Sequence, residues 1–184
     1  MPEDLDTKIK LELYRLVIKR YKDLISEHES RSISEIRQKV SPYTDFIKHK
    51  RDEILASIVP YVYKRHFFDA AQTAISYVRT IKVCEFSFNF WMEFHEMDEL
   101  RIATSMDKAI LLASLLRALE SEDVVVAVTA NGKIYVKFIW DDKPHIFMPE
   151  SGSLLMGDDA MKLFENNPIS YSFNDLVYEN YEDQ

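Results

Sequence analysis

The sequence predicts an α+β domain, and three observations carry that reading. The first 80 residues place apolar side chains at three- and four-residue spacing between charged ones, the mark of helices with one buried side. The stretch from Ser105 to Leu119 is apolar on nearly every side, so it reads as a helix surrounded by protein. After Glu120 the texture turns short, β-branched and alternating, with Asn131-Gly132 as a strong hairpin signal. Helices, one buried helix and then an antiparallel meander give an α+β order.

Taken in order, the first helix is predicted over 8–30, with Ile9, Leu13, Leu16, Val17, Tyr21, Leu24 and Ile25 on its apolar stripe. Arg31-Ser32 interrupts it, and a short helix over 33–40 stops at Ser41-Pro42, since the residue before proline is driven out of helical geometry. A third helix runs from about Thr44 through Ala56 to Val59 and ends at Pro60. The spacing predicts a fourth over 69–77, turning Ala70, Ala71, Ala74 and Ile75 inward. Within 81–101 the segment 83–88 alternates like a strand and 93–100 has helical spacing. The central helix follows. Strands are expected over 123–128, 133–140 and 144–148, separated by Asn131-Gly132 and by Asp141-Asp142-Lys143. The tail from Gly152 reads as turn-rich, with one short helix over 158–164.

A chain of 184 residues, 47% hydrophobic and 29% charged, can bury one good core plus a helical appendage. No apolar run nears the ~18 residues of a membrane span, and Met1-Pro2-Glu3-Asp4 is unlike a signal peptide. Cys84 is the single cysteine, which excludes internal disulfides and paired-cysteine metal sites. Three glycines cannot build a phosphate loop or a dinucleotide fingerprint, so no cofactor is expected. A cytoplasmic location is expected. The net charge of −8 is uneven: residues 1–80 hold 15 Lys/Arg against 12 Asp/Glu, and residues 81–184 hold 8 against 19. The acidic half would repel a phosphate backbone, so nucleic acid would have to meet the N-terminal half.

The central segment, Thr104-Ser105-Met106-Asp107-Lys108-Ala109-Ile110-Leu111-Leu112-Ala113-Ser114-Leu115-Leu116-Arg117-Ala118, resembles the nucleophile helix of transglutaminase-like (papain-related) domains, archaeal ones especially. There a Gly-Asp-Cys-x-Asp-Lys-Ala turn leads into Leu-Leu-Ala-Ser-Leu-Leu-Arg-Ala. Ser41-Pro42 with Asp45-Phe46-Ile47 is similar to the family's upstream V-x-P-x-D-x-x-I segment. Residues 71–83 resemble its A-x-x-I-x-x-Y-V-R helix, and Trp91-Met92 with Glu96 and Leu100 its approach to the catalytic turn. The resemblance covers roughly 40–150. It implies a transglutaminase-like core over 41–184, with a buried central helix on a small antiparallel sheet, and a helical extension over 1–40.

In that family a cysteine at the helix N-terminus gains from the unpaired N–H groups and the helix dipole, which favour a thiolate and an oxyanion. A histidine on the next strand pairs with it and an aspartate on the following strand orients the histidine. By the resemblance, Ser105 stands at the cysteine, Lys133 at the histidine and Met148 at the aspartate; no histidine lies in 120–140. A serine needs a nearby base far more than a cysteine does. His145, three residues before Met148, would face the other side of a regular strand. Thr104 or Ser105 therefore reads as a helix cap with Asp107 in its first turn, and Met148 is expected to pack against the central helix where a carboxylate once stood.

The resemblance then implies a non-catalytic scaffold or protein-binding module, of the kind found in nucleic-acid-processing complexes. The alternative is an acyl hydrolase or transferase working through a Ser105–Lys133 dyad, which would need a dry pocket to depress the lysine. A partner or a second copy of the chain is expected to dock on Leu13, Leu16, Val17, Tyr21 and Leu24 of the first helix, whose stripe is wider than an isolated helix leaves in water. Lys64-Arg65-His66 beside Tyr61 and Tyr63 is a small basic–aromatic cluster of a type that suits single-stranded nucleic acid. His95-Glu96-Met97-Asp98-Glu99 lacks a second histidine at i+4 and reads as an acidic solvated turn, not a zinc motif. No metal site is expected.

Overall fold

The computed structural model describes residues 5–21, 33–85, 91–165 and 167–181. Four helices come first: α1 (Leu5–Tyr21), α2 (Ile33–Lys39), α3 (Asp45–Leu55) and α4 (Tyr63–Arg79). A short parallel pair, β1 (Lys82–Val83) and β2 (Ile102–Ala103), brackets α5 (Phe94–Leu100) and delivers the chain into α6 (Ser105–Ala118). Then come β3 (Val125–Thr129), β4 (Ile134–Trp140), β5 (Lys143–Met148), β6 (Ser153–Met156), α7 (Asp158–Leu163), β7 (Ile169–Phe173) and β8 (Tyr178–Asn180). The α+β class and the antiparallel sheet follow directly.

The central helix is as buried as its composition requires. From Ser105 to Leu116 only Met106 escapes full burial, and Leu111, Leu112, Leu115 and Leu116 are wholly inaccessible. Helix α4 lies beside it on a stripe of Phe67, Ala70, Ala71, Ala74, Ile75 and Val78. The three alanines keep the stripe low, which lets two backbones approach closely. This stripe begins at Tyr63, six residues before the helix expected over 69–77. The aromatic pair Tyr63 and Phe67 continues the inner face backwards, with ring centroids 4.9 Å apart.

Helix ends are capped as local chemistry dictates. Thr44 caps α3 by accepting from the Ile47 N–H, and Thr104 caps α6 by accepting from the Asp107 N–H. Glu93 and Glu96 form a reciprocal capping box at the start of α5. Glu96 is buried, which corrects the reading of 95–99 as a solvated turn.

The six-stranded sheet has the order β6-β5-β4-β3-β7-β8 and is antiparallel throughout. The β3–β4 connection is not the two-residue turn that Asn-Gly favours. The Thr129 N–H donates to the Lys133 carbonyl at 3.0 Å, leaving Ala130, Asn131 and Gly132 as a three-residue loop, with Gly132 at φ 77°. Asp141 and Asp142, both at positive φ, make the tight turn between Trp140 and Lys143. The tail from Gly152 is more ordered than a turn-rich segment: it supplies β6 at one edge, and β7 pairs β3 with Val126 opposite Phe173. Its anchor is an ion pair, Arg117 Nε to Asp175 Oδ1 at 2.5 Å and Arg117 Nη2 to Asp175 Oδ2 at 3.1 Å, with both side chains nearly inaccessible.

The two faces of the sheet differ. Val126, Val136, Phe138, Phe147 and Phe173 face α6 and α4 and join the main core, while Ala127, Tyr135 and Ile146 face α7 and make a small second cluster with Ala160.

Of the helix expected over 8–30, the part from 8 to 21 belongs to α1; Leu24 and Ile25 lie outside the described residues, as do the side chains of Val17 and Tyr21. The strand expected over 83–88 is seen only at Val83, with 86–88 outside the described residues.

Candidate functional site

The first turn of α6 gathers polar groups that are rarely buried together. Thr104 Oγ1 accepts from the Asp107 N–H at 3.1 Å and donates to Asp107 Oδ2 at 2.8 Å, so cap and carboxylate hold each other. Asp107 is 2% exposed. Desolvation pushes its carboxyl up to about 6, against the opposing pull of hydrogen bonds from Thr104 and the Met92 backbone and of the Lys39 charge. Lys108 is 4% exposed, and burial lowers its ammonium, with the Arg79 charge acting in the same direction. Arg79 in turn donates from Nε to the Gly152 carbonyl at 2.7 Å, tying the end of α4 to the β5–β6 turn.

Ser105, at the expected nucleophile position, is buried, and among the described residues its Oγ has no hydrogen-bond partner. The cap is Thr104, so Ser105 is not needed for that role. Lys133 is exposed at the hairpin tip, one residue before β4, and no hydrogen bond joins it to Ser105 among the described residues. Met148 does not pack against α6. It is half-buried in the small cluster with Tyr135 and Ile146 on the α7 side. The physical reason is strand parity: Phe147 takes the α6-facing position on β5, so both of its neighbours face away. The three positions do not converge.

His145 has the opposite parity to Met148, as its spacing requires. It stacks on Phe138 (centroids 5.0 Å apart, planes 15°) and lies 5.2 Å from the Phe68 ring. Its Nδ1 is 3.0 Å from the Lys143 carbonyl, and burial lowers its pKa. It is a core residue.

A cavity of about 170 Å³ opens beside the α6 N-terminal turn. Asp107, Met92, Met97 and Ile110 form its buried floor, Lys39, Thr44, Trp91 and Phe94 its walls, and Gln38 and Glu93 its exposed rim. The Lys39 ammonium lies 5.7 Å above the Trp91 ring. The sequence marks Asp107 as a helix-dipole partner and Trp91 as part of the resemblance, but neither as lining a cavity. The available signal was a charged pair, Asp107-Lys108, inside a helix otherwise greasy all round.

The remaining candidates fall as follows. Lys64 and Arg65 are exposed on the first turn of α4, but the neighbouring tyrosines are engaged by the protein. Tyr61 donates its hydroxyl to the Leu119 carbonyl at 2.7 Å, and Tyr63 meets Trp140 edge-on at 5.6 Å. Cys84 is half-buried, its N–H held by the Ala103 carbonyl. No group of three metal-binding side chains occurs among the described residues. On α1, Leu13 is 4% exposed and belongs to the main core, so it is not available to a partner as expected; Leu16 is half-buried, while Leu11 and Tyr14 are 51% and 57% exposed. No described helix is long and apolar enough to cross a membrane.

Comparison with known proteins finds no matching family model, no matching curated protein and no matching solved structure.

Proposed function

We propose that the chain is a transglutaminase-like domain without catalytic chemistry, kept as a protein-binding or scaffold module. The observation that carries this reading is the scattering of the three substituted positions: Ser105 Oγ is buried and unpartnered among the described residues, Lys133 is solvent-exposed and Met148 is across the sheet. A serine nucleophile needs a base within hydrogen-bond reach, and among the described residues Ser105 Oγ has no such partner. Support for the fold assignment comes from the order of parts, a buried helix followed by consecutive antiparallel strands that pack on it. The same reading divides the chain into a helical extension over 1–40 and a transglutaminase-like domain over 41–184, the extension reaching the main core through Leu13 and Val40.

The surface we assign to a protein partner or a second copy is the outer side of α1. Leu11 and Tyr14 stand exposed while Leu13 anchors the helix to the core. Light scattering on the full chain, and on a Leu11→Ser/Tyr14→Ser variant, tests it. A dimer lost in the variant, or a hetero-complex weakened by it, is the expected result. A monomeric wild-type chain whose partners bind the variant equally well contradicts it.

A further inference from the structure

We infer that the cavity at the α6 N-terminal turn is a receptor for the alkylammonium or guanidinium end of a Lys or Arg side chain on a protein partner. This rests on the binding-module reading and names what that module would grip.

Size comes first. A cavity of about 170 Å³ is roughly ten times the ~10–15 Å³ that admits one water. It has room for the end of a long side chain. Its walls suit such an occupant, since Trp91, Phe94, Met97 and Ile110 offer apolar surface for methylenes and Asp107 waits at the floor. Long cationic side chains bury their stems and seek a polar anchor for the head.

The sign of charge decides between cation and anion. A helix N-terminus ordinarily attracts anions. Here Asp107 already occupies that position as part of the protein, tied to Thr104, and an incoming anion would meet its carboxylate and that of Glu93 at the rim. A full carboxylate charge outweighs the half-charge of the helix end. Asp107 is a buried carboxylate whose ionised form is opposed by desolvation and supported by hydrogen bonds from Thr104 and the Met92 backbone and by the charge of Lys39 on the neighbouring helix. An opposite charge brought into the cavity would add to that support.

Lys39 shows the geometry. Its ammonium stands over the Trp91 ring, in the manner of a cation–π contact. The chain's own lysine therefore holds the place that a partner's cation would take, and docking requires Lys39 to swing outward.

The test is a titration of the full chain, followed by the Trp91 indole N–H resonance in nitrogen-15 spectra and by calorimetry. The probes are N-acetyl-lysine methylamide, N-acetyl-arginine methylamide and, as a neutral control, N-acetyl-norleucine methylamide. Trp91→Leu assigns the resonance and removes the platform. The cationic probes are expected to shift the Trp91 resonance saturably, and the norleucine probe is not. Asp107→Asn should weaken binding about tenfold or more, the worth of a charged hydrogen bond. Lys39→Ala should strengthen it about two- to fivefold by removing the internal competitor. That sign is the discriminating result, because an anion site would lose affinity with Lys39. Equal binding of norleucine, no response to either cation, or weaker binding in Lys39→Ala overturns the inference. If Asp107→Asn fails to fold, the Lys39→Ala and Trp91→Leu arms still decide. Failure here with Ser105 inert to acylating probes leaves the binding-module reading standing; acylation of Ser105 overturns that reading whatever the titration shows.

Discussion

The two faces of the six-stranded sheet are made by the same strands, yet they hold different amounts of protein. Toward α6 and α4, Val126, Val136, Phe138, Phe147 and Phe173 join a core that runs through most of the domain. Toward α7, Ala127, Tyr135 and Ile146 meet little more than Ala160 and a few half-buried neighbours. One residue of register separates the two environments on β5, where Phe147 is fully buried and Met148 is not. The lesson concerns position along a strand: a site inferred by aligning residues one after another depends on parity, and parity puts Met148 on the thin face, away from Ser105.

Truncating a side chain on each face should have unequal cost. Phe138→Ala, on the thick face, should cost about 3–5 kcal/mol, and Ile146→Ala, on the thin one, about 2 kcal/mol, because a small cluster under one short helix collapses around the gap more easily. Denaturant midpoints measure both. Equal costs would mean that the α7 face holds as much of the stability as the α6 face.

Buried polar groups on the α6 side make stability depend on pH. The Asp107 carboxyl is raised in the fold, so its stabilising contribution is full below its unfolded value of 3.8 and is lost as pH rises through about 6. Asp107→Asn removes that loss. Relative to wild type, the variant should gain on the order of 2–3 kcal/mol between pH 4 and pH 7.5. His145 has the opposite sign: its folded pKa is lowered, so stability falls as pH drops below the unfolded value of 6.5. His145→Phe should flatten the acid side of the stability profile while leaving the curve above pH 7 in place. A wild-type profile unchanged by either substitution would mean that both groups are solvated.

A smaller effect is expected on the thin face. Met148→Asp should cost about 1–2 kcal/mol, since the new carboxylate can reach water from a half-buried site. A loss of ~5 kcal/mol would return Met148 to the interior of the main core.

What the sequence made legible was local. The central helix, the short helix over 33–40, a cap at Thr104 or Ser105 and the β3–β4 and β4–β5 hairpins all depend on neighbours within a few residues. Strand β7 alternates over Ile169-Ser170-Tyr171-Ser172-Phe173, but it lies in a turn-rich tail and its partner Val126 is remote in the chain. Parity on β5 was hidden for a different reason: Ile146, Phe147 and Met148 are all apolar, so nothing in their chemistry tells the two faces apart. The burial of Asp107 was hidden because an acidic residue in a first helical turn is equally at home in water. The cavity, built from α2, the turn before α3, α5 and α6 together with the segment leading into α5, has no signature in any single stretch.

The non-catalytic reading proposed above rests on Ser105, whose Oγ has no hydrogen-bond partner among the described residues. Intact-mass and peptide-level spectrometry of the full chain after exposure to an activated-ester or fluorophosphonate probe measures this directly. No adduct at Ser105 is expected under conditions that fully label a serine hydrolase. A stoichiometric adduct at Ser105 that disappears in Lys133→Ala would contradict it.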